Sequence, residues 1–289
     1  MAHRVAHGGE LREPTLIDDE LVERLRALID LAPLQNAPAL AAIDSARRAL
    51  PDVPHVAVFD TEFHATLPDF AATYALPARS RERIRRYGFH GLSVQWASER
   101  VPAPRLVVCH LGGGCSVTAV RDGRSVDTTM GFTPLEGLPG ATRSGSVDPG
   151  ALLYLLRRGT TAEDLDRVLE HESGLAALGG LDEELGFGVF TYLVAKAVAG
   201  MAAALAGLDA LVFTAGIGEN RADVRAAVAG RLGFLGVELD QQRNDAVEPD
   251  AELQTGKSAV RAAVIRAREE LIAARATRDL LDDAGLHRV

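Results

Sequence analysis

Two glycine-rich turns, each following a short apolar run, are the first candidates for chemistry in this sequence. Residues 110–114 follow the run 105–109, and residues 216–220 follow the run 210–214. Glycine lets the backbone approach phosphate oxygens closely, and successive amide N–H groups can then point at the anion. Neither turn matches the Walker motif or G-x-G-x-x-G, so a purely structural role as a tight loop remains open for both.

Four polar residues lie in settings that favour a functional role. Arg4 lies in an apolar segment that ends in glycine, and Asp60 ends a buried apolar run. His90 follows Gly-Phe, and Arg143 lies in the segment Gly140-Ala141-Thr142-Arg143-Ser144-Gly145. Each also has a structural alternative. Arg4 could be a surface charge, Asp60 a helix cap, His90 a core histidine and Arg143 a solvated loop arginine. Arginine is permanently charged and forked, which suits phosphate and carboxylate ligands.

The composition narrows the class of protein. The chain has 289 residues, a formal net charge of -9 and no block of Lys and Arg, which argues against nucleic acid or an anionic membrane as the main partner. Two cysteines, Cys109 and Cys115, are too few for a disulfide framework, so a cytoplasmic protein is expected. We interpret them as small buried hydrophobes; a zinc site with His110 is the alternative and would need a fourth ligand.

The hydrophobic pattern predicts helices alternating with short buried strands. Pro33 is expected to end the first helix, Asp122-Gly123 to form a hairpin turn, and Asp148 to cap a helix. No apolar signal region follows the N-terminus, and the apolar stretch 197–208 is too short to cross a bilayer. The predicted helices are 18–30, 148–157, 161–170, 187–205 and 269–283, and the predicted strands are 53–59, 105–109, 116–120, 210–214 and 260–265. This order indicates an α/β fold with ligands at the strand ends.

Five segments together resemble the acetate kinase family, in the family's order and across nearly the whole chain. They are His3-Arg4-Val5-Ala6-His7-Gly8-Gly9-Glu10, Val58-Phe59-Asp60-Thr61, Arg86-Tyr87-Gly88-Phe89-His90-Gly91, Gly131 to Gly137 with Thr142-Arg143-Ser144-Gly145, and Phe213-Thr214-Ala215-Gly216-Ile217-Gly218-Glu219-Asn220. The resemblance implies a duplicated RNase H-like (actin-like ATPase) fold with two lobes and a nucleotide cleft. Residues 1–63 with 268–289 would be a remnant of the N-terminal lobe, and residues 64–267 the C-terminal lobe.

The resemblance also implies reversible phosphoryl transfer between ATP and acetate, giving acetyl phosphate and ADP, with Mg²⁺ as cofactor and a homodimer as the assembly. By resemblance the catalytic residues are Asp60, His90 and Arg143, and Arg4 binds substrate together with an acyl pocket of Leu34, Phe89 and Pro134. The nucleotide-binding residues would be His110, Leu111, Gly112, Gly113, Gly114, Gly216, Ile217, Gly218, Glu219 and Asn220, and the metal-binding residue Glu269.

The chain departs from the family pattern in several places. An Asn-x-Gly-Ser-Ser-Ser loop and a lysine, which precede the Arg4 segment in the family, have no counterpart here, so we expect an incomplete N-terminal lobe and weak activity. The nucleoside-contacting Ser-Asp-x-Arg motif is missing near residues 179–183. Alanine replaces the family's valine at Ala6, and Arg266-Ala267-Arg268 replaces Pro-Thr-Asn before Glu269. Two alternatives therefore remain: an impaired remnant that binds nucleotide or a partner, and a kinase for another short carboxylate such as propionate.

Overall fold

A small three-stranded sheet carries the first group of predicted site residues. The computed structural model describes residues 1–286. Strands β1 (Ala2–Val5), β2 (Thr15–Leu16) and β3 (Val56–Phe59) form this sheet in the order β1-β3-β2, with β1 parallel and β2 antiparallel to β3. All four residues of β3 are buried, as its apolar, β-branched sequence predicts. The sheet therefore holds the ends of β1 and β3 side by side.

A larger six-stranded sheet carries the two glycine-rich turns. Its strands are β4 (Arg105–Leu111), β5 (Cys115–Arg121), β6 (Arg124–Thr128), β7 (Ala210–Thr214), β8 (Ala251–Glu252) and β9 (Arg261–Val264), in the order β6-β5-β4-β7-β9-β8. Strands β4, β7 and β9 are parallel, and His110 of β4 lies opposite Thr214 of β7. The carboxyl ends of β4 and β7 are adjacent, so the two glycine-rich turns meet at one edge of the sheet.

The helices surround these two sheets. The α-helices are α1 (Asp19–Arg26), α2 (Pro33–Ala49), α3 (Asp69–Ala72), α4 (Ala78–Arg81), α5 (Gly91–Arg100), α6 (Pro149–Arg157), α7 (Ala162–His171), α8 (Gly174–Ala177), α9 (Glu184–Leu205), α10 (Ala215–Asn220), α11 (Ala222–Gly230), α12 (Gln241–Asp245) and α13 (Glu269–Asp283). Short 3-10 turns cover Ile29–Leu31, Glu62–Thr66 and Gly233–Leu235.

Helix α9 supplies much of the core beneath the larger sheet. Its residues Phe190, Val194, Val198 and Leu205 are buried and pack in the same apolar cluster as Phe213 of β7. Within residues 1–286, α9 is the one helix whose length and apolar composition would suffice to cross a membrane, and its inward face is instead covered by protein. It has 22 residues and begins three residues earlier than the sequence pattern predicts.

Helices α5 and α13 connect the two sheets. Leu92 of α5 and Ile272 of α13 pack against Val56 and Val58 of β3. Trp96 of α5 packs against this cluster and also against a separate cluster of the larger sheet that contains Leu106 and Val212, distinct from the α9 cluster. The two sheets fit the two predicted lobes, whose boundaries at 63/64 and 267/268 remain a prediction; residues 287–289 of the N-terminal remnant lie outside the described residues.

Several local predictions are confirmed. Strand β7 and helix α13 have the predicted bounds. Asp122 and Gly123 both have positive φ, at 48° and 78°, which is the geometry of a tight hairpin turn between β5 and β6. Asp148 caps α6 by accepting from the Gly150 amide. Cys109 and Cys115 are free and buried, and burial raises the pKa of the Cys115 thiol to about 12.

Two local predictions are wrong. Pro33 does not end the first helix, because α1 already ends at Arg26; Pro33 instead begins the 17-residue helix α2, where its missing N–H belongs to the unpaired first turn and its fixed φ suits the helix. The second glycine-rich turn is not an open loop, because residues 215–220 form the short helix α10. The Glu219 carboxylate favours this helical turn by accepting from the Ala215 amide at its start (2.9 Å).

Candidate active site

An arginine between two carboxylates lies at the edge of the small sheet. Arg4 Nε and Nη2 donate to the two carboxylate oxygens of Asp60 at 2.9 and 2.6 Å, and Arg4 Nη1 lies 3.1 Å from Glu269 Oε2. β1 and β3 run parallel, so Arg4 in β1 can reach Asp60, which directly follows β3. Burial opposes ionisation of Arg4, but Asp60 and Glu269 outweigh it and raise its pKa.

The second arginine and a histidine converge on the first glycine-rich turn. A Cβ atom placed on Gly114 would overlap Arg143 Nη2 and would lie 3.2 Å from His90 Nε2. The Arg143 loop is fixed there by the Ala141 amide, which donates to the Gly113 carbonyl (2.9 Å). Arg143 Nη1 also donates to the Pro134 carbonyl (3.2 Å). Only glycine at position 114 leaves room for both polar side chains beside the backbone.

The imidazoles of His90 and His110 are stacked beside this turn. Their ring centroids are 4.0 Å apart and their planes differ by 15°. Burial first, and then the nearby positive groups, lower the pKa of His90 well below its usual value and that of His110 to about 3. Arg4 contributes to both shifts and Arg143 to that of His90, so the small-sheet group and the glycine-turn group form one electrostatic site. Both histidines are uncharged near neutral pH.

The predicted acyl pocket is only partly enclosed. Ala6, Phe89 and Pro134 are buried, whereas Leu34 in the first turn of α2 is 40% exposed. The His7 ring packs edge-on against Phe89, with 5.4 Å between centroids. That Leu34 lines the acyl pocket stays a prediction, because its side chain is exposed to solvent and only a bound ligand would cover it.

His7 and Asn36 hold the backbone of the Ala6 segment in place. The His7 amide donates to Asn36 Oδ1 (3.0 Å), and Asn36 Nδ2 donates back to the His7 carbonyl (3.1 Å). His7 Nε2 donates to the Phe132 carbonyl (3.1 Å), which ties the same segment to the loop that contains Pro134. These contacts join β1, α2 and the 131–137 loop around the predicted pocket.

A buried arginine supports the second glycine segment. Arg225 is 1% exposed, and its Nη1 donates to the carbonyls of Gly218 (2.9 Å) and Glu219 (2.8 Å). Its Nε and Nη2 donate to the side chain and the carbonyl of Asn244, both at 2.8 Å. The Glu219 carboxylate also accepts from the Ala267 amide (2.8 Å), which joins this segment to the residues before Glu269.

The model of the acetokinase family matches residues 1–275. This chain belongs to the acetokinase family. An acetate kinase of Synechococcus sp. is 46% identical over 307 residues, covering 97% of this chain and 76% of the relative, and one of Deinococcus deserti is 46% identical over 311 residues, covering 97% and 78%.

Solved structures confirm the acetokinase fold. A propionate kinase from Francisella tularensis matches with a TM-score of 0.89 at 38% identity, over 96% of this chain and 78% of the other. The acetate kinase from Entamoeba histolytica matches with a TM-score of 0.89 at 29% identity, over 97% and 81%. The chain therefore has the duplicated RNase H-like fold of the actin-like ATPases that the sequence segments predict, and its relatives are ATP-dependent carboxylate kinases.

The acetokinase relatives contain internal residues that this chain lacks. The alignment with the Synechococcus relative spans 307 positions, and the 97% of this chain that it covers is about 280 residues. About 27 aligned positions of the relative therefore have no counterpart here. The predicted place, residues 179–183, is part of a short connection between α8 and α9. Arg221 donates to the Leu181 carbonyl (3.2 Å) and to Asp182 (3.1 Å), which places this connection beside the second glycine segment.

The acetokinase site brings together most of the residues predicted for it. The fold places Arg4, Asp60 and Glu269 in contact, and Arg143 and His90 at the first glycine turn. Sequence reasoning missed four supporting side chains. They are Ser93, Ser116, Arg225 and Asn244. The signal available in the sequence was a polar residue at a position where the pattern predicts burial: Ser93 and Ser116 lie in apolar runs, and Arg225 lies between Val224 and Val228.

Proposed function

We propose that this chain transfers a phosphoryl group reversibly between ATP and acetate, giving ADP and acetyl phosphate. The observation that carries the proposal is the convergence of Arg143 and His90 on Gly114, with Arg4 held nearby by Asp60. Phosphoryl transfer requires placement and positive charge more than covalent help from the protein, and this arrangement supplies both. In these proposed roles Asp60, His90 and Arg143 are catalytic and Arg4 binds the carboxylate.

The proposed reaction needs no general base. Acetate is already ionised at neutral pH, so its carboxylate oxygen attacks the γ-phosphorus directly; the new O–P bond forms as the bond to the β–γ bridging oxygen breaks and ADP leaves with those electrons. Arg4 and Arg143 balance the negative charge of the carboxylate and of the transferring group. His90 is neutral and donates one hydrogen bond. Asp60 orients the Arg4 guanidinium through its two-pronged contact.

Magnesium fits the two carboxylates beside Arg4. Burial first and then the negative charge of Asp60 raise the pKa of Glu269 to about 7. A bound cation would lower this pKa again, because it favours the ionised carboxylate. Residues 1–286 contain no cluster of three or more His, Cys, Asp or Glu side chains that could hold a metal alone. Mg²⁺ often takes one or two carboxylates with substrate phosphates completing its shell. We assign Glu269 to hold it, where the ion would neutralise charge on the phosphates.

The two glycine-rich segments are the proposed nucleotide site. Residues 110–114 and 216–220 lie at adjacent ends of β4 and β7. A Cβ atom on Gly113 would meet no heavy atom within 4 Å, so this part of the backbone is open to a ligand. The Glu219 side chain is engaged by two backbone amides, so its proposed contribution comes from the backbone.

Propionate is the second candidate substrate. The family's valine is replaced by Ala6, whose side chain is buried in the predicted acyl pocket, and the smaller side chain leaves room for about one more carbon. A solved structure similar to this chain is named as a propionate kinase. Acetate remains the first candidate, because the curated relatives at 41–46% identity are named acetate kinases.

We further propose a homodimer in the cytoplasm, without nucleic acid or membrane partners. None of the nine residues of α6 is buried, although the helix carries a run of leucines and a tyrosine. Leu153 is 49% and Tyr154 56% exposed. An apolar helix of this kind on a protein surface is typical of a protein–protein interface, and a second copy would cover it. The measurement is the molar mass in solution, with Leu153→Glu expected to give monomers.

The activity test is the trapping of acetyl phosphate as a hydroxamate, with Mg²⁺, ATP and acetate. We expect product from this chain and at least a 100-fold slower reaction from Arg143→Ala. Nucleotide binding by calorimetry, measured on the same protein, separates the alternatives. Binding of ATP without any acetyl phosphate or propionyl phosphate would identify an impaired remnant and contradict the proposed function.

A further inference from the structure

Three histidines near the glycine turn, the buried His64 and His110 and the half-buried His90, share one feature, a serine hydroxyl on the Nδ1 atom. The separations are 2.8 to 3.0 Å, and each pair joins side chains that are far apart in the sequence. The pairs are His64 with Ser125, His90 with Ser116, and His110 with Ser93. A neutral imidazole carries its proton on one nitrogen only, so these serines can decide which nitrogen donates.

The His64 pair fixes the direction of its hydrogen bonds. His64 Nε2 lies 2.9 Å from the Phe89 carbonyl, which can only accept. The proton of the neutral ring must therefore be on Nε2, and Nδ1 accepts from the Ser125 hydroxyl. Burial lowers the pKa of His64 to about 4, so the neutral form applies at neutral pH.

The same reasoning assigns His90 by elimination. Ser116 is fully buried in β5, and among residues 1–286 its hydroxyl has no hydrogen-bond partner other than His90 Nδ1. If His90 carried its proton on Nδ1, the Ser116 hydroxyl hydrogen would be buried without an acceptor, which is costly. With Ser116 as the donor, that hydrogen is satisfied and His90 Nε2–H faces Gly114.

The His110 pair repeats this arrangement on the neighbouring strand. Ser93 of α5 is also fully buried, and within the described chain its hydroxyl bonds only to His110 Nδ1. His110 Nε2 lies 3.6 Å from the position that a Cβ atom on Gly112 would occupy. The stacked rings of His90 and His110 therefore direct their Nε2 atoms at two glycines of one turn.

We infer that Ser116 and Ser93 are positioning residues that hold His90 and His110 as Nε2–H tautomers, so that the stacked pair offers two uncharged donors to one anion. Two imidazolium rings 4.0 Å apart would repel each other and the two nearby arginines, whereas neutral rings add donors without that repulsion. The tautomers follow from the hydrogen-bond geometry of neutral rings and do not depend on the proposed function; their effect on turnover rests on it.

Nitrogen NMR on the unmodified chain tests the tautomers directly. Long-range proton–nitrogen correlations of ¹⁵N-labelled protein at pH 7 distinguish Nε2–H from Nδ1–H rings, and His64→Gln, His90→Gln and His110→Gln assign the signals. We expect all three rings as Nε2–H, with His64 as the internal reference. An Nδ1–H ring at His90 or His110 would overturn the inference, whatever the enzymatic activity.

Kinetics test whether the positioning matters for turnover. Ser116→Ala should lower kcat about 5- to 10-fold while KM for ATP stays within about twofold, because one orienting hydrogen bond is lost. Ser116→Thr keeps a hydroxyl and should restore most of kcat. Ser98→Ala is the matched control, since among residues 1–286 the hydroxyl of this buried serine of α5 bonds only the Gln95 carbonyl of its own helix (2.8 Å).

The two failures are distinguishable. If the NMR assignment holds but no variant or parent makes an acyl phosphate, the proposed function fails and the tautomer assignment survives. If the parent is active and Ser116→Ala matches Ser98→Ala in kcat, with the His90 tautomer unchanged, Ser116 has no positioning role.

Discussion

The two sides of the site are constructed from different kinds of contact. On the substrate side, Arg4, Asp60 and Glu269 form ion pairs, and the Arg4 side chain remains 47% exposed. On the proposed nucleotide side, the glycine turns present backbone, and two fully buried side chains lie behind them: Arg225 holds the Gly218 and Glu219 carbonyls, and Ser116 holds His90. The first side is a cluster of charges that opens to solvent at Arg4 above the buried Asp60, and the second is continuous with the core.

The difference determines what a substitution should change. Removing a charged group from an open site leaves the packing nearly intact, so the loss should fall on the chemical step. Removing a side chain that holds buried carbonyls leaves polar groups unpaired in the core, so ligand binding and folding stability should fall together. Four predictions test this contrast, beginning with the largest effect.

Arg143→Ala should lower kcat roughly 1,000-fold and leave KM for ATP within a few-fold, because the lost charge acts on the transferring group. The unfolding midpoint in urea should hardly change. Steady-state kinetics with hydroxamate trapping and urea titration measure the two quantities. A loss of less than about tenfold in kcat would remove Arg143 from the proposed catalytic role.

Gly114→Ala should lower kcat roughly 100-fold, because the added methyl group would overlap Arg143 Nη2 and displace it. Gly113→Ala is the neighbouring comparison: its methyl group would meet no protein atom within 4 Å but would face the proposed nucleotide, so KM for ATP should rise while Arg143 stays in place. We expect this variant to keep kcat within about threefold. Equal losses in both variants would mean that the turn, rather than the space for Arg143, is what glycine provides.

Arg225→Met should raise KM for ATP about tenfold and lower the free energy of unfolding by about 2–4 kcal/mol, because four buried hydrogen bonds lose their donor. The exposed Arg231 at the end of the same helix is the control, and Arg231→Met should change neither value appreciably. If KM for ATP rose without any loss of stability, Arg225 would act on the ligand rather than through the core.

Ala6→Val should shift selectivity towards acetate about four- to tenfold, as the ratio of kcat/KM for acetate to that for propionate. The valine would fill the space that propionate needs. Because Leu34 is exposed and leaves one side of the pocket open, we expect the change to act on the binding of the carboxylate and not on the phosphoryl-transfer step. The folding stability should stay within about 1 kcal/mol. An unchanged ratio would mean that neighbouring side chains already fill the space.

The sequence alone determined the family and the α/β class, and it named the residues that we propose for the reaction. Local patterns can be recognised in the sequence without a structure. Examples are Asp60 at the end of an apolar run, His90 after Gly-Phe, and the Gly216–Asn220 segment. The hairpin at Asp122-Gly123 was also readable, because positive φ at two successive positions needs those residue types. The helix α2 was missed because proline both follows helices and begins them.

Only the tertiary structure decided which side chains support that chemistry. Ser116 and His90 are 26 residues apart, Arg225 and Asn244 are 19 apart, and Arg4 and Glu269 are joined only because α13 packs on β1 and β3. No spacing rule connects such pairs, since their contact depends on strand register and helix packing rather than on distance along the chain. The physical reason is that a buried polar group must find its partner in space, and the fold chooses that partner.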